Sequence, residues 1–194
     1  ALGPSHISIY GLSVEPGTVL SHNLRQGRWI LPTDDETGNM YDLIMDRLVK
    51  GGYERYEISN FAKAGDKSRH NLVYWHYNPY LAFGAGATRF DGRTRENNPA
   101  YLAAYERGEA PEIECLSPAV QREEMIFMNL RTVRGLSLLD YEARFGRSFA
   151  LDYGPQIENL IHKGWAKWED GHFCLTPLGM QYGNLAFEAF ITTD

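Results

Sequence analysis

Thr33-Asp-Asp-Glu-Thr-Gly-Asn-Met-Tyr-Asp-Leu-Ile-Met-Asp-Arg-Leu-Val-Lys-Gly-Gly-Tyr53 is a helix written out with both of its ends. The Thr33 hydroxyl can accept an orphan amide three residues on while Glu36 reaches back, the reciprocal arrangement of a capping box. Met40, Leu43, Ile44 and Leu48 follow at helical spacing and would face a core, and Gly51-Gly52 stops the helix. Upstream, residues 6–14 alternate as a strand, with Ile7 and Ile9 on one side and His6, Ser8 and Tyr10 on the other, until Glu15-Pro-Gly17 turns the chain. Downstream, residues 53–59 read as the next strand. Strand, capped helix and strand form one βαβ unit, whose ordinary product is a parallel sheet.

Residues 80–90 offer a further strand, interrupted by Gly84 and Gly86. That pair lacks the third glycine of a dinucleotide fingerprint, so it supports close backbone approach instead. A polar connector (91–99) and a short helix (101–107) lead to a domain boundary near residues 108–111. Beyond it the pattern turns helical. Ser117-Pro118 supplies an N-cap and an N1 proline for a helix through Leu130, apolar on most faces and therefore central. Ser137 caps a short helix ending at Phe145-Gly146. Residues 149–163 predict a third helix with Ile157, Leu160 and Ile161 inward, and residues 165–175 a hairpin turning at Asp170-Gly171. Thr176-Pro177 opens a last helix through Phe190. Three helices and a two-stranded wing describe a winged-helix module.

Chemistry concentrates in one place. Tyr53-Glu-Arg-Tyr-Glu-Ile-Ser-Asn-Phe-Ala62 is followed by His70-Asn-Leu-Val-Tyr-Trp75, which sets an imidazole, an amide and two rings within six residues. Such groups suit a flat, conjugated, metal-bearing ligand: a nitrogen to reach the metal and rings to cover a face. On residue types alone, His70 reads more readily as an ordinary polar loop residue, and Tyr74 and Trp75 serve equally as core aromatics. No Gly-x-Ser-x-Gly, His-Glu-x-x-His or calcium loop is present, and the six histidines lack metal-ligand spacing, so neither a catalytic residue nor a metal site is assigned.

Taken in order, these runs resemble the second half of the oxygen-independent coproporphyrinogen III oxidase-like radical S-adenosylmethionine family. Residues 6–18 resemble its late barrel strand and the loop after it, Tyr56-Glu-Ile-Ser-Asn-Phe-Ala62 the following strand, Gly84-Ala-Gly-Ala87 its glycine-rich segment, and 117–188 its C-terminal helical domain. The motif His70-Asn-x-x-Tyr74-Trp75 resembles that of the haem chaperone branch. The resemblance implies an α/β plus α architecture: residues 1–108 the C-terminal part of an incomplete (β/α) radical SAM barrel, and 109–194 a winged-helix-like domain. It implies haem near His70, Asn71, Tyr74 and Trp75, and carries contacts to S-adenosylmethionine onto Leu12, Ser13 and Thr88. Two positions depart from the family pattern: Ala82 stands where glycine is usual, and Thr88-Arg89 replaces a His-Ser-like pair.

The family builds its [4Fe–4S] cluster on an N-terminal Cys-x-x-x-Cys-x-x-Cys run, and such iron is held by thiolates. Here Cys115 and Cys174 stand 59 residues apart with no motif around either. The chain opens on Ala1-Leu-Gly-Pro4, and the expectation is a C-terminal half that lacks radical chemistry alone, with cluster and S-adenosylmethionine belonging to a full-length parent. The expected partners are haem or porphyrin, the missing N-terminal half of the barrel, a haem-recipient protein, and a second copy through unpaired strand edges. Two cysteines outside any disulfide pattern point to a reducing, cytoplasmic setting, and no apolar run reaches the ~20 residues of a membrane span.

Charge bears on the competing class, a winged-helix nucleic-acid-binding protein. Residues 1–100 carry 11 Lys/Arg against 11 Asp/Glu, and residues 101–194 carry 8 against 14, so the whole net charge of −6 lies in the helical part. The expected recognition helix, 149–163, offers Lys163 against Asp152 and Glu158. A polyanion is disfavoured on both counts.

Overall fold

The computed structural model describes residues 2–191, which fall into two compact units, Ala1–Lys67 and Ser68–Asp194. The first contains β1 (His6–Ser8), α1 (Val19–Arg25), α2 (Asp34–Lys50), β2 (Glu54–Arg55) and β3 (Asn60–Ala62). The capping box of α2 forms as its sequence dictates: the Thr33 hydroxyl accepts from the Glu36 amide at 3.2 Å, and the Thr33 amide donates to the Glu36 carboxylate at 2.8 Å. The face it turns inward is rotated from expectation. Tyr41, Ile44, Met45 and Leu48 are half-buried, whereas Met40 and Leu43 are exposed.

The sheet of this unit corrects the parallel pairing expected from a βαβ unit. Its order is β1-β3-β2, and β3 pairs antiparallel with both neighbours. β1 and β2 therefore run in the same direction, as a crossover through α2 requires, but β3 lies between them. The cause is a turn inside the segment read as one strand. Buried Glu57 accepts the Ser59 amide at 2.7 Å, and the Arg55 guanidinium donates to the Ile58 carbonyl at 2.7 Å, which reverses the chain before Asn60. The strand expected over 6–14 is also shorter, ending at Ser8.

The second unit begins with α3 (Arg69–Trp75), then β4 (Thr88–Phe90), β5 (Thr94–Asn97), α4 (Leu102–Glu106) and β6 (Glu112–Cys115). β4, β5 and β6 form an antiparallel sheet. The polar connector expected over 91–99 is thus partly a strand, and residues 112–115 are another. Neither shows apolar alternation because charge holds them: Arg95 faces Glu114 across the ladder with a 3.2 Å ion pair, and Arg89 pairs with Glu96. The boundary expected near 108–111 lies inside this unit, between α4 and β6.

The remaining elements are α5 (Pro118–Leu130), β7 (Leu136–Ser137), α6 (Leu138–Phe145), α7 (Phe149–Asp152), α8 (Gly154–His162), β8 (Ala166–Glu169), β9 (His172–Leu175), α9 (Pro177–Gln181) and α10 (Gly183–Glu188). α5 is central, burying Met125, Ile126 and Leu130. Tyr141, Phe149, Phe173 and Phe190 are buried with it, and the Phe149 ring lies 5.4 Å from Phe173 and 5.8 Å from Phe190. β8 and β9 join through Asp170 and Gly171, both at positive φ as a tight hairpin requires, and β7 adds to β9. The single helix expected over 149–163 is two, broken at Tyr153 (φ −130°, ψ 27°), and Pro155 lies in the first turn of α8, where its missing amide would have no intrahelical partner. The last helix is likewise divided, at Tyr182.

Asp152 at the end of α7 ties this region together. It accepts from the Tyr141 hydroxyl at 3.0 Å and from two Arg147 nitrogens, at 2.8 and 2.6 Å. The Arg147 hydrogen bonds, joined by that of Tyr141, hold its carboxyl below the usual range despite opposing desolvation. A depressed folded pKa stabilises fully above the unfolded value of about 3.9 and is lost as pH falls through the folded value. Asp152→Asn should therefore cost about 1–2 kcal/mol at neutral pH. The gap in urea midpoint between variant and wild type should close as pH is lowered below the aspartate range, and a gap independent of pH would count against the carboxylate's role.

Candidate functional site

The His70 motif folds into α3, so His70 is a helical residue and not a loop residue. The Ser68 hydroxyl accepts the Asn71 amide at 3.2 Å and starts the helix. Helical spacing places His70 and Tyr74 one turn apart on one face. The imidazole Nε2 and the Tyr74 hydroxyl are 3.0 Å apart, and the rings meet edge to face at 4.9 Å. Tyr74 is backed by Tyr80 at 4.6 Å, also edge-on, and Tyr80 by Phe90 at 5.9 Å. Tyr80 and Phe90 exchange two backbone hydrogen bonds, which fixes that floor. His70 is exposed, so its imidazole stands at the open edge of an aromatic shelf.

Trp75 faces elsewhere. The Arg131 guanidinium lies 4.4 Å from its ring centroid, and its indole Nε1 is buried without a hydrogen-bond partner among the described residues. This half-buried ring packs against the guanidinium at the end of α5, and no ring contact joins it to His70 among the described residues. Tyr77, just beyond the helix at φ 55°, is buried and donates to Glu124 at 2.9 Å, with Arg95 pairing to the same carboxylate. Burial, then the bond to Glu124, pushes its phenol pKa up. Arg131 and Glu124 are the residues that sequence reasoning missed: each lies about fifty residues from its partner, and no local pattern announces it.

The other expected positions separate by unit. Thr88 lies on β4 and spends its hydroxyl on Asn97, at 2.7 Å across the ladder. Leu12 and Ser13 are exposed residues after β1 in the first unit. Asn71 sits half-buried on α3 beside His70.

A groove of about 940 Å³ opens beyond the C-terminal end of α3, lined in part by His76, Arg134, Asp140, Arg144, Asp170 and His172. Desolvation, then Arg134, lowers the His76 pKa, and Asp140 opposes them. Its two arginines are offset by two aspartates, so the groove selects no charge class of ligand.

An exposed imidazole on an aromatic shelf fits haem in one respect, an axial nitrogen with a ring wall beside it. The cluster does not fit. Cys115 is exposed on β6, Cys174 is buried on β9, and no group of three or more potential metal ligands occurs among the described residues.

Residues 116–182 match the family model described as the HemN C-terminal domain. The "Heme chaperone HemW" of Lactococcus lactis is 36% identical over 193 residues, covering 97% of this chain and 51% of that protein. The protein of the same name from Bacillus subtilis is 35% identical, covering 98% and 52%. Among solved structures, coproporphyrinogen III oxidase (HemN) from Escherichia coli, described as a radical SAM enzyme, superposes with a TM-score of 0.71 at 16% identity, over 97% of this chain and 48% of that one. The mixed α/β fold is thus one shared with a radical SAM enzyme. Residues 116–182 thus carry the HemN C-terminal domain, and the chain as a whole is similar to about half of each of these relatives. It spans about half the length of the curated relatives it matches.

Proposed function

We propose that this chain is the C-terminal part of a haem chaperone, a protein that binds haem for delivery rather than decarboxylating a porphyrinogen. The carrying observation is the exposed His70 imidazole paired with Tyr74 on a fixed aromatic shelf, at the motif that first suggested haem. The relatives named haem chaperone, matching along nearly the whole chain, support the same reading. In this reading His70 is the iron ligand, Tyr74 the adjoining ring, Asn71 a neighbour that orients the turn, and Trp75 a strut. When bound, haem would supply an iron centre with an open axial position for the imidazole.

S-adenosylmethionine and the [4Fe–4S] cluster belong, in this reading, to the N-terminal half present in the relatives, with Leu12, Ser13 and Thr88 at most lining the first. Residues 1–108 would complete a (β/α) barrel with that half, and 109–194 would be the winged-helix-like domain. The exposed Trp29, Ile30, Met40 and Leu43 of the first unit support an occupant for that surface, either the remaining barrel or a second copy. A haem-recipient protein and a cytoplasmic setting complete the proposal; no described helix is long and apolar enough to cross a membrane. Nucleic-acid binding gains no support. The segment meant for recognition is broken at Tyr153, and the Lys163 ammonium lies 4.7 Å from the Trp165 ring centroid.

His70→Ala, made in the full-length parent, should weaken haem binding at least about tenfold, equivalent to ~1.4 kcal/mol, and shift the Soret band. Titration of haem followed by absorbance measures both. Unchanged affinity and spectrum would remove His70 as the ligand.

A further inference from the structure

We propose that the Tyr74 hydroxyl is a reversible cap on the His70 Nε2 atom, a competitor for that nitrogen which iron must displace. The inference rests on the haem reading above and deepens it.

The Nε2–Oη distance of 3.0 Å is that of a hydrogen bond, and it commits the nitrogen whichever way the proton lies. If the phenol donates, the Nε2 lone pair points at its proton and the imidazole hydrogen is on Nδ1. If Nε2 donates, it carries a hydrogen and has no lone pair free. In neither arrangement is Nε2 ready to bind a metal while the pair is closed. Opening it needs no further reactant. The hydroxyl exchanges its imidazole partner for water, the imidazole proton resides on Nδ1, and the nitrogen–iron bond replaces the hydrogen bond.

Two features make this more than a surface contact. One helical turn separates the groups, so the cap sits on the same short helix as the ligand and remains close after release. Tyr80, edge-on at 4.6 Å, is a second ring contact for Tyr74. The ring is therefore a fixed wall, and the hydroxyl alone can be removed without moving it. A carrier that must hand haem on gains from a competitor already in place, because the cap favours release as much as it opposes capture.

Removing the hydroxyl should strengthen binding, the opposite of what loss of a wall would do. A single exposed hydrogen bond changes affinity roughly two- to tenfold. Tyr74→Phe in the full-length parent should bind haem tighter by that factor and lose it correspondingly more slowly to apomyoglobin, with the Soret position retained. A haem-free readout stands beside it. In nitrogen-15 spectra of the His70 side chain, Tyr74→Phe should move the Nε2 resonance. Equal or weaker haem affinity in Tyr74→Phe, alongside a His70→Ala variant that does lose haem, overturns the cap. Unmoved imidazole resonances also overturn it, since the pair would not then form in solution. Failure of the haem reading has a separate signature: His70→Ala binding haem as wild type does, while Tyr74→Phe still shifts Nε2.

Discussion

Gly135→Ala is expected to destabilise the second unit by more than about 4 kcal/mol, the range reserved for backbone conflicts and large core defects. Gly135 sits at φ +77°, which an L side chain rarely adopts, and a Cβ there would lie 2.2 Å from the Phe173 carbonyl oxygen. That oxygen belongs to β9, the middle strand of the β7-β9-β8 sheet, so neither partner can yield without opening the ladder. Gly179 makes the parallel case by crowding alone. Its conformation is ordinary, but a Cβ would lie 1.8 Å from the Trp165 carbonyl oxygen. Thermal unfolding monitored by circular dichroism should show a midpoint roughly 8 °C or more below wild type for Gly135→Ala. A midpoint within a degree or two would mean that the turn before β7 does not pack as described.

Trp75→Ala is the second large effect, and its character matters more than its size. Loss of a packed indole costs about 3 kcal/mol or more. Because Trp75 lies beneath Arg131, the loss should appear as unfolding at lower denaturant and not as a changed haem spectrum at saturating haem. Arg131→Ala should cost less alone, and the two substitutions together should cost less than their sum, as for partners in one contact. A stable Trp75→Ala protein with an altered Soret band would instead place the indole against the ligand.

Much of the helical part was legible in the sequence because its signals are local. Ser117-Pro118, Ser137 and Thr176-Pro177 each start a helix, their hydroxyls accepting amides three residues on, and Asp170-Gly171 turns the hairpin. The first unit misled because its decisive contact is made by a side chain. Buried Glu57 bends the chain where periodicity reads a continuous strand. β5 and β6 escaped for a related reason, since ladders held by Arg95, Glu114 and Glu96 show no apolar rhythm. At the candidate site, the motif did not reveal the conformation of its own stretch. Seven residues are too few for a hydrophobic period, so only the Ser68 cap hints at a helix. Residue types also could not separate a ring that meets the imidazole, Tyr74, from one that meets a guanidinium, Trp75.

The ties from α3 to α5 bear on how this family can be recombined. Residues 116–182 look like a cassette, yet Arg131 covers Trp75 and Glu124 takes both Tyr77 and Arg95, all of which precede it in the chain. A chimaera spliced at residue 116 between distant relatives would inherit half of each partnership. Substitutions accumulated on one side of the seam would then meet an unaltered counterpart on the other. Grafts should tolerate a junction ahead of Ser68 better than one at residue 116, and drift at 124 or 131 should be accompanied by compensating change at 75, 77 or 95.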